Sequence, residues 1–325
     1  MHKAILWFVM ILSASCANNE RTIPATMSSS QVKANMPKVT LLEVGISPKK
    51  ILRFVPGQDS TTTMSMTIQV TTQNNVMQRP QLPIIAMEVR LRVMEVQPNG
   101  DFSCEFTVME VKIVGAPGVK PTTVETMRNS LKSMIGLKIR SEMSNRGLVK
   151  KMEIDVPSDV NSVVKSEMES MRQALEQFVV QLPEEAVGIG GKWKIQTALR
   201  TSNLDLTQES IITLEKLDGD QLSLQVAIIQ TAPPRDIHTP GMPSDTSVRL
   251  SSFASKGHGQ MKLRLGLPFP IDSEVRLISD TDTNATVGEQ NQSMKQQATT
   301  TLTLKKSESS VAVPVASPAV PPEKR

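Results

Sequence analysis

The residue in this chain most evidently placed to undergo chemistry is Cys16, which ends the run Leu12-Ser13-Ala14-Ser15-Cys16. It follows a short basic start, Met1-His2-Lys3, and an uninterrupted apolar stretch from Ala4 to Leu12. That order reads as a secretory signal, and a cysteine after small residues at the cleavage point resembles the lipobox of bacterial lipoproteins, the alternative being an ordinary signal peptide cut nearby with Cys16 coincidental. In that pattern the thiol of Cys16 is diacylated on sulfur, the signal is cut just before it, and the new amino group can take a third chain. Two acyl chains hold a protein stably on a bilayer where one does not. The apolar stretch itself is too short to span. Nine helical residues rise about 13 Å at 1.5 Å each, against a hydrocarbon core of about 30 Å.

The other groups with chemical potential are sparse. With Cys16 acylated, Cys104 has no disulfide partner, and it alternates in phase with Phe102 and Phe106 in F-S-C-E-F. This places it on the dry face of a strand as an inert thiol. Beyond the signal the only histidines are His238 and His258, and neither is spaced with Cys, Asp or Glu in the manner of metal ligands. His238 falls in a proline-rich loop and His258, between Gly257 and Gly259, is expected at a hairpin tip. There is no G-x-S-x-G elbow for a nucleophile. V-G-I-G-G at 187–191 lacks the preceding strand and following helix of a nucleotide fingerprint; its glycines are expected to let the backbone turn sharply between helix and sheet. No catalytic residue, metal site or cofactor is therefore assigned. A net charge of +4 at pH 7, evenly mixed along the chain, argues against a nucleic-acid partner.

The elements that would carry any site are mostly strands. Residues 1–15 are read as the lipoprotein signal, 16–37 as a polar, flexible tether, 38–304 as a β-rich globular region and 305–325 as a disordered Pro/Ala-rich tail. Period-two alternation predicts strands at Val39–Val44, Ile51–Val55 and Thr61–Thr71. It also predicts a long hairpin from Met87 to Val108 turning at Pro98-Asn99-Gly100-Asp101. A short helix is expected from Thr122 to Gly136, with Thr122 and Glu125 as a capping box, then two strands around Ser144-Asn145-Arg146-Gly147. A longer amphipathic helix is expected over 159–180. Further strands follow at Trp193–Ser202, Leu204–Leu217 and Leu222–Ile228, with a turn at 218–220. After an irregular loop at 231–245 come Val248–Ala254, a turn at Gly257-His258-Gly259, Met261–Leu267, Val275–Ile278 and Leu302–Leu304. Similar offsets between the glycine turns suggest that 38–156 and 184–304 are diverged repeats joined by the 159–180 helix. With aromatics at only 3% and 19 methionines, the core must be aliphatic.

Four stretches, L-L-E-V-G-I-S-P-K-K-I-L-R-F at 41–54, S-N-R-G-L-V-K at 144–150, P-E-E-A-V-G-I-G-G-K-W at 183–193 and P-G-M-P at 240–243, resemble an uncharacterised family of bacterial envelope lipoproteins, a domain of unknown function. The resemblance implies no activity and carries over only Cys16. The expected fold is mainly β (α+β): a curved antiparallel sheet or open barrel with two packed helices. The expected protein is exported, membrane-anchored through its N-terminal lipid and non-enzymatic, with the outer membrane favoured because no Asp follows Cys16. Its concave face either holds a hydrophobic ligand or is filled, in which case the protein is a scaffold meeting another envelope protein through a strand edge or the tail; a hydrolase with an unrecognised site is the third reading.

Overall fold

A computed structural model describes residues 36–74, 82–115, 119, 121–132, 134–154, 179–200, 205–237, 246–287 and 290–307. Alternation of apolar and polar side chains becomes strand almost throughout. In chain order the strands are β1 (Lys38–Glu43), β2 (Lys50–Ile51), β3 (Thr61–Asn74), β4 (Ile84–Val96), β5 (Phe102–Val114), β6 (Lys138–Met143), β7 (Val149–Ile154), β8 (Ala186–Val187) and β9 (Lys192–Arg200). They continue as β10 (Asp205–Asp218), β11 (Gln221–Ala232), β12 (Arg235–Ile237), β13 (Thr246–Arg264), β14 (Pro270–Val287) and β15 (Gln290–Lys306). One helix, α1 (Pro121–Lys132), lies between β5 and β6.

All but β2 and β8 belong to a single 13-stranded antiparallel sheet in the order β1-β9-β10-β11-β13-β14-β15-β3-β4-β5-β6-β7, with β12 added on β13. It is two consecutive meanders, β3 to β7 and β9 to β15, joined where the last strand lies beside β3 with Leu302 opposite Ile68. β1 and β7 end this order, with no described strand on their outer sides, so the sheet is not closed into a barrel. β2 and β8 pair separately, Lys50 with Val187 and Ile51 with Ala186.

The sheet nevertheless covers its own apolar face. One buried cluster runs from Ile139 and Met143 on β6, through Phe106 on β5, to Trp193, Leu214 and Leu222 on β9, β10 and β11. Since β6 and β9 lie near opposite ends of the strand order, the sheet must bend back on itself for these residues to meet. Irregular pairings at Leu41/Glu43, Val93/Glu95, Leu214/Lys216 and Leu250/Ser252 supply the added twist. Phe106 meets Phe269 edge-on with ring centroids 5.0 Å apart, and Phe54 meets Phe102 at 6.5 Å.

Both hairpin turns with a Gly-Asp pair form as expected, with Gly100 at φ 83° and Gly219 at φ 60°, and Ser144–Gly147 turns β6 into β7. Several expectations are corrected. Of the two packed helices only α1 appears among the described residues; the 159–180 helix lies outside them, apart from Val179 and Val180, which are buried and not helical. Of the expected strand Ile51–Val55 only Ile51 is in a strand, as the last residue of β2. The final strand is not three residues but seventeen. The loop at 231–245 carries the short strand β12, paired with β13 through Arg235 and Leu250.

The turn at Gly257-His258-Gly259 does not exist. All three lie inside β13, opposite Leu277, Arg276 and Val275 of β14, and His258 is on the exposed face. Gly257 and Gly259 share the inner face with Ser255 and Met261, and the missing side chains are what the neighbours require. A Cβ on Gly257 would stand 2.6 Å from Leu277 Cδ2, and one on Gly259 would be 2.8 Å from Val275 Cγ2 and against the Glu274 carbonyl. Glycine here marks close approach of a neighbouring strand rather than reversal. This also removes one of the two turn offsets behind the proposed repeat.

Gly259→Val should therefore destabilise the fold by about 2 kcal/mol or more, while Gly266→Ala, whose added Cβ would meet no atom within 4 Å, should leave it near neutral. Denaturant midpoints of the two variants against the parent chain check this; equal midpoints would contradict the packing account.

Candidate functional site

Three of the four resembling motifs converge at one end of the sheet. Residues 44–60 and 179–191, both largely irregular, cross beneath the turn at 144–147 and are tied to it by backbone hydrogen bonds. Phe54 N donates to Asn145 O at 2.7 Å and Leu182 N to Arg146 O at 2.9 Å, while Val55 N is held separately by Leu265 O, just after β13, at 2.7 Å. The fourth motif, 240–243, lies outside the described residues, as do Cys16 and His238.

Two arginines organise the crossing. Arg53 donates through Nη1 to Leu52 O at 2.6 Å and to Pro183 O at 2.9 Å, and through Nη2 to Glu184 O at 2.8 Å. Arg146 donates through Nε to Leu182 O at 3.0 Å and reaches Glu184 Oε2 at 3.3 Å. A planar guanidinium suits this work because its donors fan out at fixed angles to several carbonyls at once. Burial, and then the charge of Arg146, lower the pKa of Arg53, with Glu184 and Glu185 opposing. Beside them Trp193, fully buried, donates Nε1 to Gln181 O at 2.9 Å.

The first hairpin turn is locked to the same point. Asp101, 9% exposed, accepts from Lys150 Nζ, from Asn99 Nδ2 at 2.9 Å and from Asn145 N at 3.3 Å, while Asn145 Nδ2 donates to Asn99 O at 3.0 Å. Burial pushes the Asp101 carboxyl up, but Lys150, Asn99 and Asn145 together outweigh it and hold its pKa below the ordinary value. Gly147, at φ 77°, fits where a Cβ would lie 2.6 Å from Val180 O.

The glycines of V-G-I-G-G serve this same crossing. Gly188 N donates to Val44 O at 2.8 Å, Gly190 N to Leu214 O at 2.7 Å and Gly191 N to Gly188 O at 2.9 Å, while Ile189 O accepts from Ile46 N at 2.9 Å. A Cβ on Gly188 would collide with the Ile46 carbonyl, and one on Gly45 with the carbonyl of Gly188. These N–H groups are committed within the protein and do not form an anion cradle.

What sequence patterning missed is the outer surface of this crossing. Among the described residues eleven large apolar side chains are exposed, and seven of them, Met36, Leu42, Val44, Ile46, Ile51, Val55 and Ile189, sit on 36–55 and its partner segment. Period two over 51–55 is present without stating which face is dry: Leu52 and Phe54 point in while Ile51 and Val55 point out.

Elsewhere the concave face divides in two. The end near Phe269 is apolar and full: the cleft lined by Met64, Leu91, Leu267 and Phe269 has no room for a water molecule. Toward the β14–β15 hairpin the inner face is polar but uncharged. Ser279 Oγ donates to Ser255 Oγ at 3.0 Å, Gln230 Nε2 to Gln208 Oε1 at 2.7 Å and Gln208 Nε2 to Ser210 Oγ at 3.3 Å. Gln296, 5% exposed, has no partner for either end of its amide. At the hairpin, Ala285, Gln290, Asn291 and Gln292 line an open pocket of about 400 Å³.

Cys104 is placed as expected, 1% exposed between Phe102 and Phe106, with burial pushing its thiol up to about 12. Among the described residues no three His, Cys, Asp or Glu side chains could hold a metal ion, and no helix is long and apolar enough to cross a membrane.

Two outcomes follow from these networks. Asp101→Asn should cost roughly 1–3 kcal/mol at neutral pH. Because the folded pKa of Asp101 is depressed, its contribution is present above the unfolded carboxylate value near 4 and is lost as pH falls through the folded one. Acid titration of stability should accordingly be shallower in the variant below about pH 4. Gln296→Met, which removes an unpartnered amide at similar volume, should leave the melting temperature unchanged or raise it; a marked fall would mean that the amide is satisfied by a bound molecule.

In comparisons with known proteins, no curated protein matches this chain. Residues 160–255, which include the motifs at 183–193 and 240–243, match the family model of DUF6263, a family of unknown function.

Proposed function

We propose that this protein is a lipid-anchored envelope lipoprotein that works without catalysis, as a scaffold meeting another envelope protein along a free sheet edge. The observation that supports a scaffold over a carrier is the filled apolar end of the concave face, where the cleft at Met64 and Phe269 leaves no space even for water. A carrier for an apolar ligand needs an apolar cavity, and the open pocket near Gln290 is walled by amides instead.

At the ends of the strand order, β1 and β7 have no further strand partner among the described residues, and an extended segment of a partner can add there as a further strand. The anchor in this reading is Cys16, acylated after signal cleavage, with the outer membrane as the favoured site. Two tests address the two parts. Radiolabelled palmitate should enter the wild-type chain and not Cys16→Ala; equal labelling refutes the anchor. A photo-crosslinking residue at Thr40 on β1 or Met152 on β7, in cells, should give one discrete protein adduct from one edge. Adducts from neither edge, with lipid co-purifying in native mass spectrometry, would favour the carrier instead.

A further inference from the structure

The crossing of 44–55 with 186–191 combines an apolar outer surface with unpaired positive charge. Ile46 is 67% exposed, Ile51 57% and Ile189 42%, and the backbone joins them: Ile46 N donates to Ile189 O and Ile51 lies opposite Ala186. Isolated exposed apolar side chains are ordinary, but a group of them concentrated on one pair of segments marks an interaction surface. Lys49 and Lys50 interrupt the group on the same segment. Both are exposed, and no described carboxylate forms an ion pair with them; Lys50 Nζ donates to Gly219 O. Of the nearby acids, Glu43 is paired with Lys192 and Glu184 with Arg146, while Glu185 and Asp218, exposed beside Ala186 and Gly219, have no ion pair among the described residues.

The covalent path to this surface is short. Roughly 20 residues separate Cys16 from β1, a length of chain whose upper reach is about 70 Å. β1 itself climbs about 20 Å and delivers the chain straight into Val44 and Ile46. A lipid attached at Cys16 therefore reaches the plane of the patch without straining the chain.

We propose that this end of the fold, through Ile46, Ile51 and Ile189 with Lys49 and Lys50, docks on the anionic lipid surface that holds the anchor. The inference rests on the anchored reading above and deepens it. Branched aliphatic side chains enter the headgroup boundary while lysines meet lipid phosphates. The sheet then stands with its β14–β15 hairpin end pointing away from the bilayer.

The test uses the full lipoprotein in vesicles of phosphatidylcholine with a minor share of phosphatidylglycerol. Cys104, buried and poorly ionised, does not react, so Ile46→Cys and Asn284→Cys, the latter exposed at the opposite end, each take one environment-sensitive fluorophore. Emission at position 46 should shift to the blue and be quenched by brominated lipid, while position 284 reports water. The I46S/I51S/I189S variant, with an unchanged melting temperature, should bind vesicles about tenfold more weakly when its lipid is removed enzymatically. Identical aqueous emission at both positions while the protein floats with vesicles overturns docking and leaves the anchor intact. If the parent chain instead takes label at Cys16 and does not float, the anchor fails; docking then stands on a vesicle-dependent shift at 46 and falls without it. A shift at 46 that appears without vesicles and grows with protein concentration assigns the surface to a second copy of the chain and overturns the proposal.

Discussion

An antiparallel sheet that carries its apolar residues on one face, with one short helix beside it among the described elements, has little to bury that face against except itself. Bending is favourable because it removes the aliphatic side chains of β5, β6, β9, β10 and β11 from water together. The bend leaves one end open, and carbonyls of irregular backbone crossing that end must be satisfied once they are buried. Arg53 and Arg146 meet that requirement for Leu52, Leu182, Pro183 and Glu184. Two like charges are brought close in doing so, which Glu184 offsets. The depressed pKa of Arg53 reflects the cost of that crowding and of burial.

Much of this was legible in the residues. Turns needing positive φ, at Gly100, Gly147 and Gly219, were readable because each sits between alternating runs. The dry position of Cys104 followed from its phase with Phe102 and Phe106. Two misreadings share a cause, which is that a local pattern does not state what lies across from it. Gly257 and Gly259 were taken for a turn, although the same composition arises where Leu277 and Val275 of the next strand need the room. The run Gln290–Thr301 carries hardly any apolar alternation, because its inner face meets the uncharged polar row of Ser279 and Thr281 rather than an aliphatic core. Nothing in its own sequence marks it as a strand; pairing with β14 and β3 does so. Likewise 51–55 keeps period two without ladder partners beyond Ile51, since its hydrogen bonds go to turns.

The division of the concave face bears on what the molecule can do. Its apolar end is occupied by its own side chains, and its polar end offers amides and hydroxyls with no base or acid among the residues that line it. Groups that share protons at neutral pH, or that hold a metal, need charge or imidazole in a cleft. Among the described residues the charged side chains, the buried Asp101 excepted, lie instead toward the outer surface, many in exposed pairs such as Arg92–Asp59 and Lys151–Glu153, which contribute little to stability.

The position of β15 sets an order of events for the chain as it is made. The strand that bridges the two meanders is the last in sequence, and its partner β3 is among the first, so Ile68 waits for Leu302. Until roughly the whole chain has emerged, β3 and β14 each present an unmatched edge, and the bend that seals the core has no continuous sheet to act on. Pairing across so long a separation closes late because the loop entropy must be met before any contact rewards it. On the export route proposed above, a chain threaded unfolded would complete its sheet only on the far side of the membrane, with its final strand as the closing piece.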